Sequence, residues 1–168
     1  MLPKINTILY ASDISPGSRP AFRMAVEQAL QHDAQIIFIH AVEPFNSVAT
    51  EILDDYLPRE ANAAHTTAWL DSYKERITTR IQRFLDSEMP DGVHLQRQIQ
   101  TKVLVGPPAK VIVRSADKLS ADLIVMGERS ASTASRIFLG STAQKVLHHS
   151  RIPVLIVPLP GPSKSNNE

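Results

Sequence analysis

The 168-residue chain contains no cysteine. This removes disulfides, thiol catalysis and thiolate metal sites, and is compatible with a reducing compartment. It also lacks an excess of one charge: 18 Lys and Arg stand against 17 Asp and Glu, a formal net charge of +1. That balance supplies no basic field for a phosphate backbone, so nucleic acid is not an expected partner. No stretch approaches the roughly 18 consecutive apolar residues of a membrane span. The opening residues, interrupted by Lys4, Asn6, Ser12 and Asp13, lack the apolar core of a secretion signal. The expectation is a soluble, cytoplasmic protein without membrane contact.

Several motifs are missing as well. No Gly-Lys-Ser or Gly-Lys-Thr occurs, so the phosphate-cradling Walker loop is absent, as is the three-glycine dinucleotide fingerprint after the first strand. Ser12-Asp13 and any of the six His residues lack nucleophile-elbow spacing. The residues support binding rather than turnover, and no catalytic group or protein metal site is assigned.

What remains is an ordinary globular composition, 43% hydrophobic and 21% charged. It predicts one domain over residues 1–160 and a polar, flexible tail over residues 161–168. Five strand-like runs alternate with helical patterns. Ile5 to Ala11 opens the series, followed by a turn of Asp13, Ser15, Pro16 and Gly17. Ser18 is placed to cap a helix running to His32 with Phe22, Ala25 and Ala29 along one stripe. Ala34 to Val42 is the second run. A long connection from Glu43 leads to a helix from about Glu60 to Ser87, with Leu70, Tyr73, Ile77, Ile81 and Leu85 at steps of three and four.

Leu95 to Val105 alternates apolar and polar residues, which predicts a strand near the sheet edge. Gly106, Pro107 and Pro108 turn into a helix faced by Val111, Ile112 and Ala116. Asp122 to Gly127, a helix over Ser141–His149 and Pro153 to Pro158 complete the pattern. Continuous apolar runs alternating with helices predict an open, mostly parallel α/β sheet covered on both faces.

In such sheets ligands lie beyond the carboxyl ends of the strands, where strand order reverses. The positions at or just past those ends are Asp13, Val42, Gly106 and Gly127. The strongest local signal runs from Gly127 to Ser141. A glycine lets the backbone approach a ligand, and Gly140-Ser141 open a helix whose free N–H groups favour an anion. Ser141 and Thr142 add hydroxyls, and Arg129 and Arg136 add positive charge. An ordinary turn and N-cap is the simpler reading of Gly140-Ser141 taken alone. Asp13 likewise has two readings, an acceptor for ribose or adenine and a cap for its own turn. For His40 a satisfied core or rim role is expected, for His148 and His149 capping of their helix end or exposure to water, and for Trp69 packing. Asp54 and Asp55 read as solvated acids.

Several ordered motifs resemble the universal stress protein family over nearly all of residues 3–159. They are the first strand with Asp13-Ile-Ser-Pro-Gly-Ser18, the Val105-Gly106-Pro107 turn, Ala121-Asp122-Leu-Ile-Val-Met-Gly127, and Arg151-Ile-Pro-Val-Leu-Ile-Val-Pro158. The nucleotide-binding branch carries Gly, two residues, Gly, nine residues, then Gly with Ser or Thr. Gly127, Gly140 and Ser141 fall on that pattern, with Ser130 in place of the second glycine. The resemblance implies a Rossmann-like fold of the adenine nucleotide alpha hydrolase type, with strand order 3-2-1-4-5.

It also implies ATP, AMP or ADP as ligand, with Mg²⁺ or Mn²⁺ accompanying a triphosphate. Asp13 and Val42 would then meet adenosine, Met126 and Gly127 the adjacent backbone, and Arg129, Ser130, Gly140, Ser141 and Thr142 the phosphates. Ser130 would be strained at a positive φ, or would donate its hydroxyl to a phosphate at an ordinary one. The implied function is that of a regulatory or sensor homodimer in a stress response, joined through the last strand, Val154 to Val157. A second branch binds no nucleotide and acts through protein contacts; turnover would amount at most to slow ATP hydrolysis. An apolar edge strand gives an independent reason for self-pairing.

Overall fold

Each apolar run becomes a parallel strand in the computed structural model, which describes residues 2–43, 59–89, 91–128 and 139–159. The strands are β1 (Thr7–Ala11), β2 (Gln35–Val42), β3 (Gln100–Val105), β4 (Leu123–Glu128) and β5 (Val154–Pro158). The helices are α1 (Arg19–His32), α2 (Arg59–Glu88), α3 (Pro108–Lys118) and α4 (Ser141–His149). The sheet order is β3-β2-β1-β4-β5, and the four neighbouring pairs are parallel. Ile8 lies opposite Ile36 on one side and Leu123 on the other, which fixes the register of the centre.

The uninterrupted apolar runs follow from burial on two faces. Side chains alternate across a strand. Ile8, Tyr10, Ile36, Phe38 and Val125 pack with Phe22 and Ala25 of α1 and with Ile77, Ile81 and Leu85 of α2. Leu9, Ala11, Ile37, Ile39, Ile124 and Met126 pack with Ile112 and Ala116 of α3 and with Ala143 and Val146 of α4. Each fully buried aliphatic side chain contributes about 1.5–3 kcal/mol, so both parities of the central strands stabilise the sheet. β3 is at the edge, as its alternation predicts, but it begins at Gln100 rather than Leu95.

Local chemistry sets the helix ends. Ser18 stands at the expected start of α1, yet its hydroxyl donates to the Ser15 carbonyl at 2.7 Å and caps no helix amide. At the other end Asp33 takes a left-handed conformation, φ 51°, and its N–H donates to the Ala29 carbonyl. Glu88, at the end of α2, is buried and accepts from Arg19 Nε at 2.7 Å and Arg23 Nη2 at 3.5 Å. These pairs tie α2 to α1, and a buried carboxylate without them carries a large desolvation cost. Trp69 is exposed and stacks on Tyr73 with ring centroids 5.2 Å apart. His149 Nδ1 lies 2.7 Å from the Lys145 carbonyl, so that ring secures its own helix end. Asp54 and Asp55 lie outside the described residues.

Tyr10 is the centre of an aromatic group. Its ring meets Phe38 edge-on at 4.9 Å and Phe22 at 5.7 Å, while its hydroxyl donates to the Ser18 carbonyl at 3.3 Å. Burial pushes the phenol from 10.0 up to about 12. A raised phenol favours the folded state fully below the unfolded value, and this contribution fades as pH rises through the folded value. Urea unfolding at a series of pH values is expected to show stability falling between about 10 and 12. Tyr10→Phe is expected to flatten that fall relative to the native chain.

Candidate functional site

The chain steps from β1 to β2 and β3 on one side of the sheet, then crosses to β4 and β5 on the other. Order therefore reverses between β1 and β4, and the connections leaving their carboxyl ends diverge. A crevice of about 420 Å³ opens there, within the usual range for a small-molecule site. The turn after β1 supplies Ser12 and Asp13, the end of β4 supplies Met126, Gly127 and Glu128, and the start of α4 supplies Gly140, Ser141 and Thr142.

Each wall has a local cause. After β1, the Ser12 hydroxyl accepts from the Ile14 N–H and Asp13 Oδ1 accepts from the Ser15 N–H, both at 3.1 Å. Asp13 thus caps its own turn while lining the crevice. Ile14 adopts φ 58°, in the left-handed region that a β-branched residue rarely enters, and its side chain is buried. His40 Nδ1 lies 2.8 Å from the Ser12 carbonyl. A carbonyl only accepts, so the proton resides on Nδ1 and the imidazole anchors the beginning of the turn. His40 is the satisfied rim residue its position predicts.

On the opposite wall, Gly140 precedes α4 with φ −56° and ψ 151° and offers no side chain to cap the helix. The start of the nine-residue helix lines the crevice, and the dipole of a helix favours an anion at that end. Gly127 has a reason for being glycine beyond ligand approach. A Cβ there would sit 2.6 Å from Cδ1 of Leu159, which also lines the crevice.

Of the expected site residues, Asp13, Met126, Gly127, Gly140, Ser141 and Thr142 come together. Arg129 and Ser130 lie outside the described residues, as does Arg136. Val42 is not part of the lining; Ile39 and Ala41, of opposite parity on β2, are. Strand alternation turns the Val42 side chain to the other face, and its carbonyl accepts from the Gly106 N–H at 2.9 Å. Gly106 is absent from the lining as well; its N–H prolongs the β2–β3 ladder, on the far side of the order reversal. Glu128 and Leu159 were not expected. Glu128 had a signal, because it follows Gly127 at the strand end; Leu159 had none.

The charge pattern is lopsided. Among the described lining residues Asp13 and Glu128 are acidic and none is Lys, Arg or His. Among the described residues no group of three or more His, Asp or Glu is arranged to hold a metal ion. No helix among them is long and apolar enough to cross a membrane.

Two outcomes test this geometry. Ala is normally the better residue than Gly by roughly 0.4–1 kcal/mol, but at a positive φ the order inverts. Thermal unfolding of Ile14→Gly and Ile14→Ala, which remove the same buried side chain, is expected to find the Gly variant the more stable by about 1 kcal/mol. Gly127→Ala is expected to cost about 1–3 kcal/mol through overpacking against Leu159. Leu159→Ala in the same chain is expected to recover most of that loss, measured as a double-mutant cycle.

Comparison with known proteins agrees with this architecture. The family model described as the universal stress protein family matches residues 4–158. A universal stress protein of Thermus aquaticus is 31% identical over 152 residues, covering 90% of this chain and 97% of its own. One from Methanocaldococcus jannaschii is 31% identical over 153 residues, covering 91% and 82%. Among solved structures, UspA of Lactobacillus plantarum shares the fold at a TM-score of 0.59 and 22% identity, covering 93% of this chain and 99% of its own. A universal stress protein in complex with cAMP shares it at 0.59 and 23%, covering 94% and 100%. With its order-reversing parallel sheet and a family match over nearly its whole length, the chain belongs to the universal stress protein family.

Proposed function

We propose that the protein binds an adenine nucleotide in this crevice and acts as a regulatory or sensor homodimer in a stress response. The observation that carries the reading is the juxtaposition of Asp13 with the Gly140–Ser141–Thr142 helix start across one crevice. A carboxylate at one end accepts from sugar hydroxyls or an adenine amine; uncapped amides at the other receive phosphate oxygens. Adenosine rests against Asp13, Ala41 and Met126, with Gly127 beside the ribose. The cAMP complex of a related protein is consistent with an adenine nucleotide as the ligand class.

The charge pattern bears on the form of the ligand. Asp13 and Glu128 repel a bare polyphosphate. ATP therefore enters with Mg²⁺ or Mn²⁺ held mainly by its own phosphates, or with Arg129 and Arg136 as counter-charges; AMP and ADP carry less of this burden. Ser130, in place of the motif's second glycine, contributes a hydroxyl to the phosphates. Dimerisation through β5 fits its position at the sheet edge, with Val154, Leu155 and Ile156 half-buried.

A second reading draws on Leu159. Its side chain occupies the space beside Gly127, and a chain that keeps it there would work through protein contacts without nucleotide.

Calorimetric titration of ATP, ADP and AMP, each with and without Mg²⁺, decides between them. Saturable binding is expected for the native chain. Gly140→Asp is expected to weaken it by at least about tenfold, ~1.4 kcal/mol. Aspartate is a favourable N-cap, so the helix survives while its carboxylate repels phosphate. No saturable binding by the native chain would overturn the proposal. Sedimentation is expected to give the mass of two chains.

A further inference from the structure

We propose that Arg80, on α2 and outside the crevice lining, is a positioning residue for the site: it holds the turn that presents Asp13. The inference rests on the nucleotide reading for its ligand, but on the geometry of the turn for its substance.

The turn from Ser12 to Ser15 is unfavourable on its own. Ile14 is a β-branched residue at φ 58°, a conformation such residues occupy only when their surroundings impose it. Among the described residues the Ser15 hydroxyl is also buried without a hydrogen-bond partner. The local bonds, from the Ile14 N–H to the Ser12 hydroxyl and from the Ser15 N–H to Asp13, satisfy two donors. They leave the Ile14 carbonyl, which points toward α2. There Arg80 Nη2 donates to it at 3.1 Å, across 66 positions of sequence.

The orientation of that carbonyl is the orientation of the peptide between Ile14 and Ser15. If it turns about the Cα–C bond of Ile14, the Ser15 N–H leaves Asp13, and the Asp13 carboxylate loses its place on the crevice wall. Arg80 is suited to prevent this. Ile77 and Ile81 are buried in the core, so the backbone carrying Arg80 is fixed, and a hydrogen bond from a charged donor is stronger than a neutral one. His40 secures the other end of the turn through the Ser12 carbonyl. The turn is therefore clamped from β2 and from α2, and the second clamp lies away from any ligand.

Arg80→Met keeps the apolar stem and removes the donor; Arg80→Lys keeps a cationic donor. Amide hydrogen exchange without ligand reads the turn directly, because the Ile14 and Ser15 N–H groups are the ones it orders. Arg80→Met is expected to speed their exchange roughly five- to tenfold, with the amides of β1 and β4 unchanged and Arg80→Lys close to native. Titration with ATP and with uncharged adenosine is expected to show a similar loss, about fivefold or more, for both ligands in Arg80→Met and recovery in Arg80→Lys. Unchanged exchange at Ile14 and Ser15 would overturn the proposal. So would faster exchange with native affinity, or a loss confined to ATP, which would mark Arg80 as a distant charge. If the native chain binds neither ligand, the nucleotide reading fails, and the exchange result still decides whether Arg80 holds the turn.

Discussion

Burial of the central strands on both faces is the constraint on which the rest of this molecule depends. β1 has β2 on one side and β4 on the other, with two helices on each face, so no side chain of Ile8, Leu9 or Tyr10 meets water. A strand so enclosed admits a polar group only with a partner, as the Tyr10 hydroxyl has in the Ser18 carbonyl. Polar groups are admitted where the strand ends, and for β1 that is Ser12 and Asp13. Parallel pairing then requires each connection to cross back over the sheet. The reversal of order beside β1 separates two such connections and creates the crevice. The site is thus a by-product of how the sheet is covered.

The chemistry available there belongs largely to the backbone. Gly140 leaves the first amides of α4 without a side-chain cap, and Gly127 lets Leu159 approach β4 closely. The polar side chains of the β1 turn are engaged with their own backbone, in the Ser12 and Asp13 bonds. Held dipoles and a few acceptors are what the described lining presents. The strained Ile14 belongs to the same economy of means: the turn that carries Asp13 adopts a conformation its own residues disfavour, and surrounding elements hold it.

Much of the fold was legible because its signals are local and periodic. The runs ending in Ala11, Val42 and Gly127 became strands within two residues of their expected bounds, and the helix over Ser141–His149 has the expected ends. The edge position of β3 followed from its alternating side chains, although its beginning did not, since Leu95 and Ile99 are apolar and pack against the core without joining the ladder. Helix capping was less transparent. Ser18 has the right identity and position for a cap, but its hydroxyl is taken by the Ser15 carbonyl.

For the site, the sequence by itself determined which residues stand at strand and helix ends: Asp13, Gly127, Gly140 and Ser141. Those positions depend on short-range periodicity and on glycine, both of which are written in the chain. Tertiary structure decided which of them share a crevice. Val42 and Gly106 stand at strand ends too, yet one hydrogen bond joins them on the β2–β3 side of the order reversal. Ala41 lines the crevice instead, because neighbouring residues on a strand face opposite ways. Leu159 beside Gly127 and Arg80 beside Ile14 are contacts between segments far apart in sequence. No local pattern encodes such meetings, which arise only when the sheet closes and the helices settle on its faces.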